Sequence, residues 1–309
     1  MKVFRSFQIP KLFLNSVIAI GNFDGVHIGH QKVIKEAIKI SKKKKIGVLT
    51  FEPHPKCFFR KEFFFFRLSP FRVKYSLLKE MGVDFMLNIK FDTEFVNLKP
   101  VDFIEEILVK KLNVSNVVTG FDFVFGNKQS GNVNTIRSYS KKTGNFLFTE
   151  VPEFKIGKNE ISSSQIRKNL RDGKIKQAND MLSRNWQIIS RVIPGKKQAR
   201  QIGFKTANLK INEYCDLFYG VYMVSVEILN SNLKKSLKGI ANYGVKPTFD
   251  KNEPLLEVHI FDFNENIYGK KLKVEFIKLI RQEKKFQSIE KLKYQIIKDI
   301  ETTKNDRLF

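Results

Sequence analysis

The 309 residues include 56 lysines and arginines against 31 acidic residues, a formal charge of +25, and 42% are hydrophobic. This is material for two ordinary domains, each able to bury its own core. No apolar run approaches the ~20 residues of a membrane span, and the opening Met1-Lys2-Val3-Phe4-Arg5 meets Gln8, Pro10 and Lys11 too soon for a secretory core, so a cytoplasmic protein with no membrane partner is expected.

Cys57 and Cys215 are isolated and read as reduced thiols, with no disulfide framework or metal motif. The charge raises nucleic acid as a partner, because phosphate contacts alone can hold a basic protein there. However, the positive charge is 44 lysines against 12 arginines, spread over both halves. The run Lys42-Lys43-Lys44-Lys45 falls at the expected end of the first helix, where cations complement the dipole. Nucleic acid is therefore not the expected partner, and a basic nucleic-acid-binding scaffold stands as the rival class.

The first element is a strand, Ser16 to Ile20, short and apolar as a buried parallel strand should be. A glycine-flanked turn follows, Gly21-Asn22-Phe23-Asp24-Gly25-Val26-His27-Ile28-Gly29-His30, and then a helix from about Gln31 to Ile40. Residues three apart share a helix face. His27 and His30 would both project near the free amides of the first turn, where the dipole favours an anion. Gly25 and Gly29 remove side chains that would keep a phosphate off the backbone.

Further strands are expected at Ile46 to Phe51, Asp84 to Ile89, Ser115 to Gly120 and Phe146 to Val151, alternating with amphipathic helices. That rhythm predicts a parallel sheet wrapped by helices, with ligands beyond the carboxyl ends of the strands. Glu52-Pro53-His54-Pro55 fixes a turn, in which His54 is either a solvent-exposed residue or part of a ligand site. The phenylalanines at 58–59 and 63–66 are a flap or, more simply, a core or inter-domain contact.

Thr119-Gly120-Phe121-Asp122-Phe123-Val124-Phe125-Gly126 ends the fourth of these strands, and Ile161-Ser162-Ser163-Ser164-Gln165-Ile166-Arg167 opens a later helix. Serines at a helix start cap amides and can hold phosphate oxygens, and Arg167 lies one turn on.

Together these segments resemble the bacterial bifunctional riboflavin kinase/FAD synthetases, whose signature is similar to Asn-Phe-Asp-Gly-Val-His-x-Gly-His. The resemblance runs along nearly the whole chain. It implies a Rossmann-like nucleotidyltransferase domain at 1–183, followed at 184–309 by a small antiparallel β-barrel riboflavin kinase domain with a C-terminal helix. It also implies that His27, His30 and Arg167 stabilise the phosphates of ATP during adenylyl transfer. Gly21, Asn22, Phe23, Gly25, Gly29, Ser162, Ser163 and Ser164 would then line the phosphate site, with Asp122 holding flavin. Lys128 stands near the position where the family has arginine, supplying charge without a bidentate fork.

Past Arg184-Asn185-Trp186 the pattern turns to strands, Ile188 to Ile193, Thr206 to Ile211, Gly220 to Leu229, Lys235 to Ala241, Leu256 to Phe261 and Lys271 to Leu279. So many strands in about a hundred residues predict a small antiparallel barrel. Ser288 to Thr302 carries Ile289, Leu292, Ile296, Ile297 and Ile300 at helical spacing and is expected to pack on it.

Gly203-Phe204-Lys205-Thr206-Ala207-Asn208 resembles the riboflavin kinase motif Gly-Phe-Pro-Thr-Ala-Asn. Thr206 and Asn208 are two apart, so on a strand both face one way and can grip Mg²⁺ and a nucleotide phosphate. Glu257, in Leu256-Glu257-Val258-His259, is the candidate general base for the ribityl 5′-hydroxyl. Arg281, Glu283 and Phe286 resemble a flavin-side Arg-x-Glu-x-x-Phe stretch. Ala199 and Lys205 depart from the family's glycine and proline, which leaves a flavin adenylyltransferase with a weakened kinase as the second reading.

The expected activity is phosphorylation of riboflavin to FMN, then adenylylation of FMN to FAD. ATP, riboflavin and FMN would be the small-molecule substrates and Mg²⁺ the cofactor.

Overall fold

The structure, a computed structural model, describes residues 1–61, 66–156, 159–195, 203–231, 236–245 and 254–308. It divides into two compact units, Met1–Phe63 with Pro70–Ser162, and Phe64–Ser69 with Ser163–Phe309.

The first unit is built on a six-stranded parallel sheet. Its strands are β1 (Lys2–Phe4), β2 (Val17–Ile20), β3 (Ile46–Glu52), β4 (Phe85–Lys90), β5 (Asn116–Gly120) and, after the hairpin of β6 (Val124–Phe125) and β7 (Gly131–Asn132), β8 (Leu147–Val151). They lie in the order β1-β4-β3-β2-β5-β8. The chain steps outward from β2 through β3 to β4, then returns to the other side of β2 with β5. The direction reverses beside β2, and a doubly wound sheet opens its ligand crevice at such a reversal, outside the carboxyl ends.

The five strands read from the sequence are present. β1 is an addition, three residues pairing in parallel with β4. On one face Ile18, Ile20, Leu49, Phe85, Leu87 and Val117 pack with Ile104, Ile107, Leu108 and Ile136, and the residues that alternate with them, Val17, Ala19, Val48, Met86 and Val118, are buried too, as in a sheet covered on both sides. At Gly47 a Cβ would overlap Ile18 and the Phe85 ring, so only hydrogen fits there.

Helices α1 (Ile28–Ser41), α2 (Pro55–Arg60), α3 (Phe71–Glu80), α4 (Thr93–Val96), α5 (Pro100–Asp102) and α6 (Val133–Thr143) belong to this unit. Running on from α5, residues Phe103–Lys111 form a π-helix that buries Phe103, Ile104, Ile107 and Leu108. Its wider winding carries past its end, where the Leu112 amide donates to the Ile107 carbonyl at 3.0 Å. A short hairpin of β9 (Lys155–Ile156) and β10 (Asn159–Glu160) comes after β8.

The second unit starts with α7 (Ser163–Arg171) and α8 (Ile175–Leu182) and then forms a closed antiparallel barrel. Its strands are β11 (Trp186–Ile193), β12 (Ala207–Lys210), β13 (Gly220–Ile228), β14 (Leu237–Val245), β15 (Pro254–Ile260) and β16 (Lys271–Gln282), ordered β11-β12-β15-β14-β13-β16. Closure removes the free edges of a small sheet. Trp186, Tyr222, Tyr243 and Phe276 are its largest fully buried side chains.

The final helix spans Ile289–Lys304, capped by the Ser288 hydroxyl, which accepts from the Lys291 amide. It packs through Ile296 and Ile300 on a cluster of Val221, Ile240 and Phe261. The expected apolar face is corrected here: Ile289 and Ile297 are exposed, while Asp299 and Thr303 are buried. The polar pair turns inward because the barrel offers Asp299 an arginine.

Candidate functional site

In the first unit the carboxyl end of β2 runs into a backbone that only special conformations allow. Phe23, Gly25 and Val26 take φ of 49°, 86° and 42°. Positive φ is ordinary for glycine but rare for a β-branched residue such as Val26. Phe23 folds back against Gly21 and is buried, as are Asp24 and Val26. Phe23 therefore offers a ligand its backbone and not its ring.

The turn delivers His27 as the N-cap of α1, which begins three residues earlier than the sequence pattern indicates. His27 Nδ1 accepts from the His30 amide at 3.3 Å. A nitrogen that accepts carries no proton, so the N–H of His27 is on Nε2. The two imidazoles stack, centroids 3.6 Å apart and 19° from parallel, and Phe23 meets His30 edge-on at 5.3 Å. A Cβ at Gly29 would lie 3.1 Å from His27 Cε1. Gly29 thus leaves room for the His27 ring, in addition to keeping the first turn open. Stacked imidazoles at the positive end of a fourteen-residue helix make an anion-receiving surface.

His54 is not solvent-exposed. It is buried and caps α2, its Nδ1 accepting from the Lys56 amide at 3.1 Å. Asp122 lies exposed in the turn between β5 and β6, against Gly120. Of the phenylalanine-rich segment, residues 62–65 lie outside the described residues. Phe58, Phe59 and Phe91 form edge-on aromatic pairs with one another.

Sequence reasoning missed Lys74, which is 1% exposed on α3 and donates to the Asn22 carbonyl and to Thr50 Oγ1 at 3.0 and 3.1 Å. A lysine on an amphipathic helix carries no mark of burial in a single sequence.

Ser162 closes the first unit, and Ser163 and Ser164 begin α7 in the second. Arg167 is buried on α7; its Nε donates to the Phe66 carbonyl at 2.7 Å and its guanidinium lies over the Phe66 ring at 4.0 Å. An arginine held this way is pre-oriented.

On the barrel, Asn208 of β12 stands directly opposite Glu257 of β15, and Glu257 opposite Asn242 of β14. Opposed residues share a sheet face, so three polar side chains form one row across three strands. Asn242 has no site role assigned from sequence, and the register supplies its place beside Glu257. Thr206 precedes β12 by one residue and is half-buried, and Asn208 is buried. A Cβ at Gly195 would overlap the Asn208 side chain, so the carboxamide sits in a cradle that glycine leaves open.

Among the described residues no group of three or more His, Cys, Asp or Glu could hold a metal. Thr206 and Asn208 instead offer neutral hard oxygens, which suit Mg²⁺ that keeps waters and shares its shell with substrate phosphates. The residues fit that ion.

Lys205 is anchored twice: its Nζ donates to Asn264 Oδ1 at 3.3 Å, and its carbonyl lies 2.8 Å from His259 Nδ1. These contacts fix a segment that proline would otherwise stiffen. Ala199 lies outside the described residues.

A cavity of about 770 Å³ lies in the second unit, lined by Arg171, Asp216, Tyr219, Val245, Glu283 and Lys285, among others. Glu283 rests where a Cβ at Gly244 would overlap its carboxylate. The Tyr243 hydroxyl donates to Asp216 Oδ1 at 3.0 Å. Burial, then the Asp216 charge, pushes Tyr243 far above the usual tyrosine range, and burial with Asp216 and Glu283 raises Tyr219 as well. Both remain neutral hydroxyls beside the cavity. Arg281 is committed elsewhere, forming a forked pair with Asp299 of the final helix, and its guanidinium lies 5.7 Å from the Phe286 ring.

A doubly wound parallel sheet with paired histidines at its first turn, followed by a closed barrel with a Thr-Ala-Asn edge, defines a two-domain phosphate-transfer enzyme. Residues 10–165 match the FAD synthetase family and residues 182–306 the riboflavin kinase family. The bifunctional riboflavin kinase/FMN adenylyltransferase of Buchnera aphidicola subsp. Schizaphis graminum is 39% identical over 98% of each chain. That of Escherichia coli K12 is 36% identical, covering 92% of this chain and 90% of the relative. The crystal structure of a macrolide-efflux protein from Streptococcus pneumoniae superposes with a TM-score of 0.85 and 30% identity, over 98% of each chain. No helix among the described residues is long and apolar enough to cross a membrane. The chain belongs to the bifunctional riboflavin kinase/FMN adenylyltransferase family.

Proposed function

We propose that this protein makes both flavin cofactors in the cytoplasm, with residues 1–183 as the adenylyltransferase and 184–309 as the kinase. The observation that carries the reading is the stacked His27–His30 pair at the start of α1, in a chain whose two halves match the two flavin-enzyme families.

In the kinase step the ribityl 5′-hydroxyl of riboflavin attacks the γ-phosphorus of ATP. Glu257 accepts the hydroxyl proton, and FMN and ADP leave. Thr206 and Asn208 would hold Mg²⁺, which offsets charge on the phosphates when bound. Glu283 and Phe286 border the flavin, with Arg281 fixing their strand end.

In the second step a phosphate oxygen of FMN attacks the α-phosphorus of ATP, pyrophosphate leaves, and no covalent enzyme intermediate forms. His27 and His30 donate to the phosphates as charge builds, aided by the amides around Asn22, Phe23, Gly25 and Gly29, while the Gly21 amide is committed to the Leu49 carbonyl and gives the phosphate only the space of a missing side chain. Ser162, Ser163, Ser164 and Arg167 take the leaving pyrophosphate, and Asp122 borders the flavin.

The nucleic-acid-binding reading draws no support from the family assignment. The weakened-kinase reading loses part of its ground because Lys205 is anchored by its own contacts.

The test is the purified full chain supplied with riboflavin, ATP and Mg²⁺, its products separated by chromatography. FMN and then FAD should accumulate. FAD from FMN with nothing from riboflavin would confine the protein to adenylyl transfer, and turnover of neither flavin would overturn the reading.

A further inference from the structure

A buried ammonium stands behind the histidine turn. Lys74 Nζ donates to the Asn22 carbonyl at 3.0 Å and to Thr50 Oγ1 at 3.1 Å, and the Thr50 hydroxyl donates to that same carbonyl at 3.1 Å. The three groups close a triangle at the start of the turn. At its other end, Gln31 Nε2 donates to the Val26 carbonyl at 3.0 Å. Between these clamps lie the three positive φ angles of Phe23, Gly25 and Val26.

Two costs meet here. A non-glycine residue held in the left-handed region is strained and persists only where its surroundings over-determine it. A charged amine taken almost wholly out of water costs more than an apolar side chain of the same length, which would fill the space as well. Packing alone accounts for neither.

The clamps do have a common effect: each takes up a backbone carbonyl. A turn that receives phosphate must present N–H groups, because a carbonyl dipole facing the anion repels it. Donors bonded to the Asn22 and Val26 carbonyls fix which way the peptide units of the turn face. They also fix where His27 is delivered.

We infer that Lys74, with Thr50 and Gln31, is a positioning residue for adenylyl transfer. It holds the strained turn 22–26 so that His27 and His30 stay registered on the phosphates of ATP. It does not touch substrate. The inference rests on the adenylyltransferase reading of the first unit, and it assigns a task to a lysine that the reaction itself does not use.

The test is Lys74→Met in the full chain, which keeps length and removes charge. Steady-state kinetics of FMN adenylylation, riboflavin phosphorylation on the same sample, and a melting curve are measured together. A misplaced catalytic turn should lower kcat for adenylylation about 30–100-fold, change the KM for FMN less than about threefold, and leave riboflavin phosphorylation at the parent rate.

An adenylylation kcat within about threefold of the parent overturns the inference. So does a parallel fall of both activities in proportion to the folded fraction, since that is what a purely structural lysine would give. Should Lys74→Met fail to fold, Thr50→Val and Gln31→Leu decide: a kcat loss of about fivefold or more with unchanged melting supports positioning, and parent-like kcat in both overturns it. A parent that makes no FAD from FMN sinks the functional reading and this inference together, whereas an active parent with an equally active Lys74→Met sinks the inference alone.

Discussion

Arg281 and Asp299 form a forked ion pair, with Nε 3.0 Å from both carboxylate oxygens and Nη2 2.8 Å from Oδ2. Asp299 is 3% exposed and sits on the final helix, Arg281 on β16. Gln295 Nε2 donates to the same carboxylate at 2.9 Å, so the group is satisfied from both elements. Asp299→Ala would leave a largely buried guanidinium without its partner, and the expected loss of stability is about 3 kcal/mol, read by urea unfolding of the full chain. A change below about 0.5 kcal/mol would mean that the pair is no better than a surface contact.

The two active centres should separate under mutation. His27→Ala and His30→Ala each remove a donor aimed at developing charge, and each should lower FMN adenylylation about 10²–10³-fold. Riboflavin phosphorylation should persist at the parent rate. Equal loss of both activities would contradict separate sites.

Gly29→Ala probes the same centre by sterics alone. The added methyl presses on His27 Cε1 at 3.1 Å and Nδ1 at 3.2 Å, so the ring must shift by a few tenths of an ångström. About a tenfold fall in adenylylation kcat is expected, with melting unchanged. An unaffected kcat would show that the stacked geometry is not the reactive one.

Glu257→Gln keeps the shape of the polar row and removes its base. Riboflavin phosphorylation should fall about 10²–10⁴-fold while FAD formation from added FMN continues. Retention of kinase turnover would return Glu257 to the status of a barrel-surface carboxylate.

Alkaline pH tests the barrel core. Burial pushes Tyr214, Tyr222 and Tyr243 above the ordinary tyrosine range, and Asp216 adds to the effect at Tyr222 and Tyr243. The unfolded chain releases these protons near about 10. A folded pKa above the unfolded one gives stability that is intact below that value and is lost as pH rises past it. Phenolate absorbance should therefore show three of the eight tyrosines silent in the folded protein, appearing only with unfolding. Titration of all eight near their free value without loss of structure would contradict the burial.

Much of this architecture is legible in the residues because each signal is local. Val17 to Ile20, and Val117 with Val118, are apolar on both faces, and only a covered parallel sheet explains them. The histidine turn and the Thr-Ala-Asn edge are contiguous motifs whose chemistry needs few residues. β1 escapes notice because Lys2-Val3-Phe4 is too short to show a period. Lys74 and Asp299 read as solvated charges on amphipathic helices, since their partners, Asn22 and Arg281, lie 52 and 18 residues away. Asn242 joins Glu257 only through strand pairing, which no single segment encodes.

The row Asn208–Glu257–Asn242 also limits how this half of the chain can vary in length. Side chains alternate across a strand, so one residue inserted into β15 between Leu256 and Glu257 would turn the carboxylate through the barrel wall and replace it with a neighbour. Related chains that keep the kinase should carry their insertions and deletions in the turn at 261–270, while β15 itself keeps its residue count.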